Sequence, residues 1–263
     1  MKHRDFRIFA GGVYPTDGWD KDLSSEKPIV EYVPQTVEIS ACQSGPSMCE
    51  FLVKPGDHVE KGQLIATPTT FTAVRLHASV SGTVREFKTL NKGGREIPLC
   101  VIDADPVQPE KKDLPYMHQI LPLDDYSRED LIHLMEEGGI TGMGGAGFPA
   151  HIKYSTKLPI EYLLINASEC EPYLTCDHRM MLEHGYEIIN GANAFLKASG
   201  AHRCVICCEE NKKEAADHLR AIYTAAGLPF EMMIFPHKYP QGGERQLIKA
   251  VTGREIPMGK LPA

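Results

Sequence analysis

The chain has 263 residues, 42% hydrophobic and 24% charged, which are the proportions of an ordinary globular protein with room for about two domains. Acidic residues outnumber basic ones 35 to 28, giving a net charge of −7, which argues against nucleic acid as the main partner but leaves small anions open. No apolar run reaches the roughly 18 residues that suggest a spanning helix, and the start "MKHRDFRIF" lacks a signal-peptide core, so a cytoplasmic protein is expected.

Residues 1–34 are polar and irregular, include "GGVYP", and read as an arm lying over another part of the molecule. Over 35–106 short alternating runs appear: "TVEIS", "CEFLV", "QLIAT", "AVRLHA", "GTVREF" and "PLCVID". Turn signals such as "KPGD", "EKGQ" and "NKGG" separate them, which predicts a small all-β domain. Within it, "VKPGDHVEKGQLIA" followed by "LHASVSGTVREF" resembles the two halves of a biotinyl- or lipoyl-type barrel-sandwich hybrid. Carriers of that type attach their group to a lysine on the hairpin between the halves. No lysine occurs between Lys61 and Lys88, so a packing or docking module is favoured over a swinging arm.

Residues 107–124, rich in proline and charge, read as a linker. From 125 to 263 the pattern alternates helix and strand. "YSREDLIHLMEEGG" opens with Ser127 and Asp130 in capping-box spacing. "IEYLLINA", "RCVICCE" and "PFEMMIF" read as strands. Helices are predicted over 175–200, over "KKEAADHLRAIYTAAG" and over "GGERQLIKAVTG". Alternation of this kind implies α/β architecture: a Rossmann-like, mainly parallel sheet with helices on both faces. The 8 cysteines suit free thiols. Cys204, Cys207 and Cys208 include a C-x-x-C, but no second pair or histidine set follows at zinc spacing, so they read as strand core. His133, His151 and His178 read as surface or supporting residues rather than ligands.

"GGITGMGGAGFPAH" (138–151) concentrates glycine where backbone entropy is costly. Gly142, Gly144 and Gly147 fit G-x-G-x-x-G, yet a helix precedes the stretch where a dinucleotide fingerprint needs a strand. The ordinary Rossmann fingerprint therefore fails on context.

Three segments occur in order: "GMGGAGFPAHIKYS", "LLINASECEPYLTCDHRMM" and "YPQGGERQLIKAVTGREIP". Together they resemble the NADH- and FMN-binding region of the respiratory complex I flavoprotein. Over nearly the whole chain, the "GGVYP" start and lysine-free β-domain included, the sequence more closely resembles the RnfC component of Rnf electron-transport complexes. The resemblance implies that Gly142, Gly144 and Gly145 present backbone to FMN, with Lys153 facing its phosphate and Asn166 bonding the flavin ring. It implies Phe148 as a stacking surface for NADH, and Glu169, Glu171 and Glu244 beside the nicotinamide and ribose. Gly243 and Glu244 open a helix whose free N–H groups face an acceptor. Cofactor chemistry of this kind leaves the protein to position and polarise, and no separate catalytic residue is expected.

The implied activity is electron entry from NADH through FMN to iron–sulfur clusters, and so to ferredoxin, in a peripheral, inner-face component of an ion-translocating membrane complex. Other subunits of that complex are the expected partners. Two alternatives stand beside it: a soluble RnfC-like electron-transfer protein serving an amino-acid reductase, and a docking module without catalysis. Ser168 stands where complex I flavoproteins carry an acidic residue, and "SACQSGPSMCEF" departs from the usual pattern. The four-cysteine [4Fe–4S] signature is absent from these residues, so the chain is expected to stop short of the family's cluster-bearing segments.

Overall fold

A computed structural model of the chain describes residues 9, 11–14, 21–110, 113–114, 122–143 and 147–260. It divides into two compact units: residues 31–156, and residues 1–30 together with 157–263. The arm, which holds the single-turn helix α1 (Asp22–Ser25), thus groups with the C-terminal half. The glycine-rich stretch and the helix before it group with the β-domain, whereas the sequence pattern placed both with the parallel sheet.

The 31–156 unit carries β1 (Thr36–Ser40), β2 (Cys49–Phe51), β3 (His58–Val59), β4 (Leu64–Pro68), β5 (Leu76–His77), β6 (Gly82–Lys92) and β7 (Arg95–Ala104). They pair antiparallel as two sheets, β1-β7-β6-β3 and β2-β4-β5. One shared core of Ile39, Val59, Ile65, Val84, Cys100 and Ile102 joins them. The segment joining β4 to β5, where carrier domains display their lysine, presents Phe71 instead, 79% exposed. Two helices follow, α2 (Arg128–Glu137) and α3 (Ala150–Tyr154). The α2 cap is the expected box: Ser127 Oγ accepts from the Asp130 N–H, and the Asp130 carboxylate accepts from the Ser127 N–H. Arg128 then donates to the Tyr154 and Thr156 carbonyls, tying α2 to the end of α3.

In the other unit β8 (Tyr162–Ala167), β9 (Arg203–Glu209) and β10 (Phe230–Phe235) form a parallel sheet in the order β10-β9-β8. Between them run α4 (Cys176–Glu183), α5 (Gly185–Ser199) and α6 (Lys213–Ala225), and α7 (Glu244–Thr252) follows β10. The single helix predicted over 175–200 is broken at His184. A close tertiary contact lies at the break. Gly185 sits so close to α6 that a Cβ there would lie 2.7 Å from Ile222 and 2.9 Å from His218.

Successive right-handed crossovers in one direction put α5 and α6 on the same side of the sheet. The opposite side, Val205 and Cys207 of β9, packs against Leu247 and Ala250 of α7. Burial explains the cysteine run. It pushes the Cys204 thiol up to about 12 and the Cys208 thiol up to about 11, so neither is a ready thiolate or metal ligand.

Candidate functional site

Register aligns the strand ends. Asn166 stands opposite Cys207, Ala167 opposite Cys208, and Glu209 opposite Phe235. The segments 168–175 and 236–243 therefore leave the same, carboxyl edge of the sheet, the usual ligand edge of an open parallel sheet.

These two segments are stitched together at β8. Asn166 donates from Nδ2 to the Gly242 carbonyl at 2.9 Å and accepts from the Ser168 N–H at 3.2 Å, yet stays exposed. One amide proton and one oxygen lone pair remain for a ligand. Gly242 has no room for a side chain, because a Cβ would meet the Ser168 carbonyl. Ser168 is buried and donates to the Cys207 carbonyl at 3.3 Å. The Tyr239–Pro240 peptide is cis. Gly243 is the N-cap of α7 and has no side chain to cap the helix, and its own N–H donates to the Pro240 carbonyl at 3.1 Å.

Glu169, expected beside the nicotinamide, is held by the chain's own donors. It is 5% exposed and turned into the interior. Its carboxylate accepts from Lys212 Nζ at 2.8 Å, from the Asp177 N–H at 2.8 Å and from the Cys176 thiol at 3.2 Å. Burial pushes its pKa up, but the hydrogen bonds from Lys212 and the Asp177 N–H outweigh it and hold the group below the usual carboxylate range. Glu169, Cys176 and Asp177 are close enough to share a cation, but these bonds already occupy the Glu169 carboxylate. Glu171, two residues on, is exposed, as is Glu244 at the start of α7.

Four residues to which the sequence assigned no role complete this edge. Lys21 of the arm, 7% exposed, donates to the Glu169 carbonyl at 2.6 Å and to the Leu174 carbonyl at 2.8 Å. Tyr173 adopts a left-handed backbone, φ 65°. Glu209, at the end of β9, is fully buried, and neither carboxylate oxygen meets a donor at hydrogen-bonding geometry. Burial raises its pKa to about 7 against the attraction of Lys21 and Lys212. Lys238 donates to the Phe9 carbonyl at 2.9 Å and lies over the Phe9 ring, while Val13 and Tyr239 exchange backbone hydrogen bonds. The arm thus holds both segments of the ligand edge.

The glycine-rich stretch lies in the 31–156 unit. Gly142 is exposed and donates to the Phe148 carbonyl at 3.1 Å, closing a loop around Met143. Phe148 is 41% exposed and Lys153, on α3, is exposed. Gly144 and Gly145 lie outside the described residues. The loop ends rest on the β sandwich: Arg75 pairs with Glu137 at 2.8 Å, and Gly147 packs against the Gln43 carbonyl. The expected site residues are thus distributed over two units. Asn166, Glu169, Glu171, Gly243 and Glu244 belong to one, and Gly142, Phe148 and Lys153 to the other.

The donor set of the sheet edge suits a polar ligand rich in acceptors: an exposed amide, an uncapped helix start and a backbone with no room for side chains. Residues 7–106 match the family model described as the RnfC barrel sandwich hybrid domain, and residues 135–263 match the model described as the Nuo51 FMN-binding domain. The chain is 34% identical, over 98% of its length, to the C component of the proton-translocating ferredoxin:NAD(+) oxidoreductase complex of Clostridium ljungdahlii. The chain is similar to RnfC proteins.

It is also 33% identical to the RnfC protein of the Na(+)-translocating ferredoxin:NAD(+) oxidoreductase complex of Acetobacterium woodii, over 100% of the chain. Against the RnfC protein of the ion-translocating oxidoreductase complex of Vibrio cholerae the identity is 35% over 97% of the chain. The chain spans 56%, 58% and 33% of these three RnfC relatives, respectively. A solved NAD+-reducing [NiFe]-hydrogenase is 22% identical, with a TM-score of 0.44, over 50% of this chain and 27% of its own. Among the described residues no helix is long and apolar enough to cross a membrane.

Proposed function

We propose that this chain is the electron-entry part of an Rnf-type oxidoreductase and takes FMN as cofactor and NADH as substrate. The observation that carries the reading is the uncapped, glycine-started helix α7 beside Asn166 and Gly242 at the carboxyl edge of the sheet, in residues that match an FMN-binding family. Bound FMN supplies hydride acceptance from NADH and one-electron release.

The chain's own residues bind and orient. Gly142, Gly144 and Gly145 offer bare backbone to the cofactor, and Lys153 offers a compact positive charge to its phosphate. Asn166 directs its remaining donor and acceptor at the flavin ring, and Gly243 and Glu244 bring the positive dipole end of α7 to the cofactor. Phe148 presents a ring to NADH, with Glu171 and Glu244 placed for its ribose hydroxyls. Glu169 acts from behind, holding segment 168–177 through Lys212 and the Asp177 N–H. Iron–sulfur clusters held outside these residues would carry the electrons on to ferredoxin, with other subunits of a membrane complex as docking partners on its inner face.

The experiment is reconstitution of the full-length protein with FMN, followed by anaerobic titration with NADH. Retention of flavin through gel filtration and bleaching of its visible absorbance by NADH are expected. A folded full-length protein that retains no flavin refutes the reading and leaves the docking module in its place.

A further inference from the structure

We infer that Lys21, in the N-terminal arm, is a positioning residue for the ligand edge, holding segment 169–174 in the conformation that requires a left-handed Tyr173. This rests on the reading of that edge as the FMN and NADH site.

The ammonium of Lys21 bridges two backbone carbonyls, those of Glu169 and Leu174, that flank Cys170, Glu171, Pro172 and Tyr173. It closes this turn as a single donor group would close a loop. At 8% side-chain exposure it is no surface contact, and Glu169 Oε2 at 3.9 Å contributes the compensating charge. Neighbouring contacts lay the arm along α4. Thr175 Oγ1 donates to Ser24 Oγ at 2.8 Å, Arg179 donates to the Ser25 carbonyl at 3.1 Å, and the Ile29 N–H donates to the Glu183 carboxylate at 3.0 Å.

What this closure holds is strained. A tyrosine at φ 65° crowds its Cβ against the backbone, and such a conformation persists only where the surroundings impose it. The held turn displays Glu171 and Tyr173 to solvent while their flanking residues Glu169, Cys170 and Thr175 are buried. Lys21 therefore sets where the Glu171 carboxylate stands. It does so from a segment about 150 residues away in the chain, which no motif around the site would reveal.

The test uses the full-length protein with Lys21→Met, which keeps most of the apolar stem and removes the ammonium, alone and combined with Tyr173→Gly. Glycine takes the left-handed conformation without help. In the ligand-free protein, hydrogen exchange of the amides of Cys170, Glu171, Tyr173 and Leu174 should speed up about tenfold in Lys21→Met. In the FMN-loaded protein the dissociation constant for NADH should rise by a similar factor. Both effects should shrink to about twofold or less when Lys21→Met is made in the Tyr173→Gly background.

Unchanged exchange, unchanged NADH affinity, or an equal loss in both backgrounds overturns the inference. If Lys21→Met does not fold, Lys21→Gln carries the same comparison, because its uncharged amide, one bond shorter than the lysine stem, does not reproduce the ammonium between two carbonyls. A wild-type protein that binds neither FMN nor NADH sinks the functional reading instead. The exchange data then still decide whether Lys21 holds the turn.

Discussion

Glu209→Gln tests how this protein stores charge in its interior. The Glu209 carboxyl is fully buried at the end of β9, and burial lifts its pKa from 4.5 to about 7. The folded chain therefore holds this proton more tightly than the unfolded chain does. The group's contribution to stability is complete below about pH 4.5, and it is lost as pH rises through about 7. At 1.36 kcal/mol per pKa unit, the wild type should lose roughly 2–3 kcal/mol through this group between pH 5 and pH 8. Glutamine has the same shape and no charge, so Glu209→Gln should match the wild type near pH 5 and exceed it by about 2 kcal/mol at pH 8. Urea unfolding followed by far-ultraviolet circular dichroism at pH 5, 6, 7 and 8 measures the difference. Burial lowers the pKa of His178 and His237, and these groups pull the pH dependence the other way; His237 Nε2 lies 4.0 Å from Glu209 Oε2, so the comparison is made in a His237→Gln background, where only His178 remains and drops out. A difference independent of pH, or one that favours the wild type as pH rises, would refute the account of Glu209 as a neutral acid under a pair of lysines.

Leu219→Ala removes a fully buried side chain from the face of α6 that packs on the sheet, and should cost about 2–5 kcal/mol in urea unfolding. Asn166→Ala deletes the 2.9 Å bond to the Gly242 carbonyl. With about 1 kcal/mol lost, amide exchange at Gly242 and Gly243 should quicken roughly fivefold while the sheet amides keep their rates.

Much of this fold was legible because side-chain period and turn chemistry agree locally. "TVEIS" became β1 and "RCVICCE" became β9, and the Ser127–Asp130 box capped α2. The β6–β7 hairpin runs on to Lys92 and Arg95, well past the predicted "GTVREF", because β6 is exposed throughout its outer half and Ile97 alone is buried among the first residues of β7, which leaves little apolar alternation to read. Long-range facts were illegible for a different reason. The break at His184 lies beside a close approach of Gly185 to Ile222 and His218, which are distant in sequence. The placement of Asn166 at a strand end followed from "LLINA", but the inward turn of Glu169 depends on Lys212 and Lys21, whose lysines look like any solvated charge in the sequence. An acidic residue in a motif announces a carboxylate without saying which way it faces.

The α/β unit is assembled from the two ends of the chain, residues 1–30 and 157–263, with the β-domain between them. During synthesis the arm emerges first. Its bonds from Lys21 to Glu169 and Leu174, and those joining Phe9 and Val13 to Lys238 and Tyr239, are complete only after residue 239 has left the ribosome. The intervening 31–156 segment has its own hydrophobic core and is free to fold while the arm waits. Docking of the arm is thus a late, high-separation step, and a nascent chain halted before β10 would leave Phe9 and Val13 without the residues that anchor them.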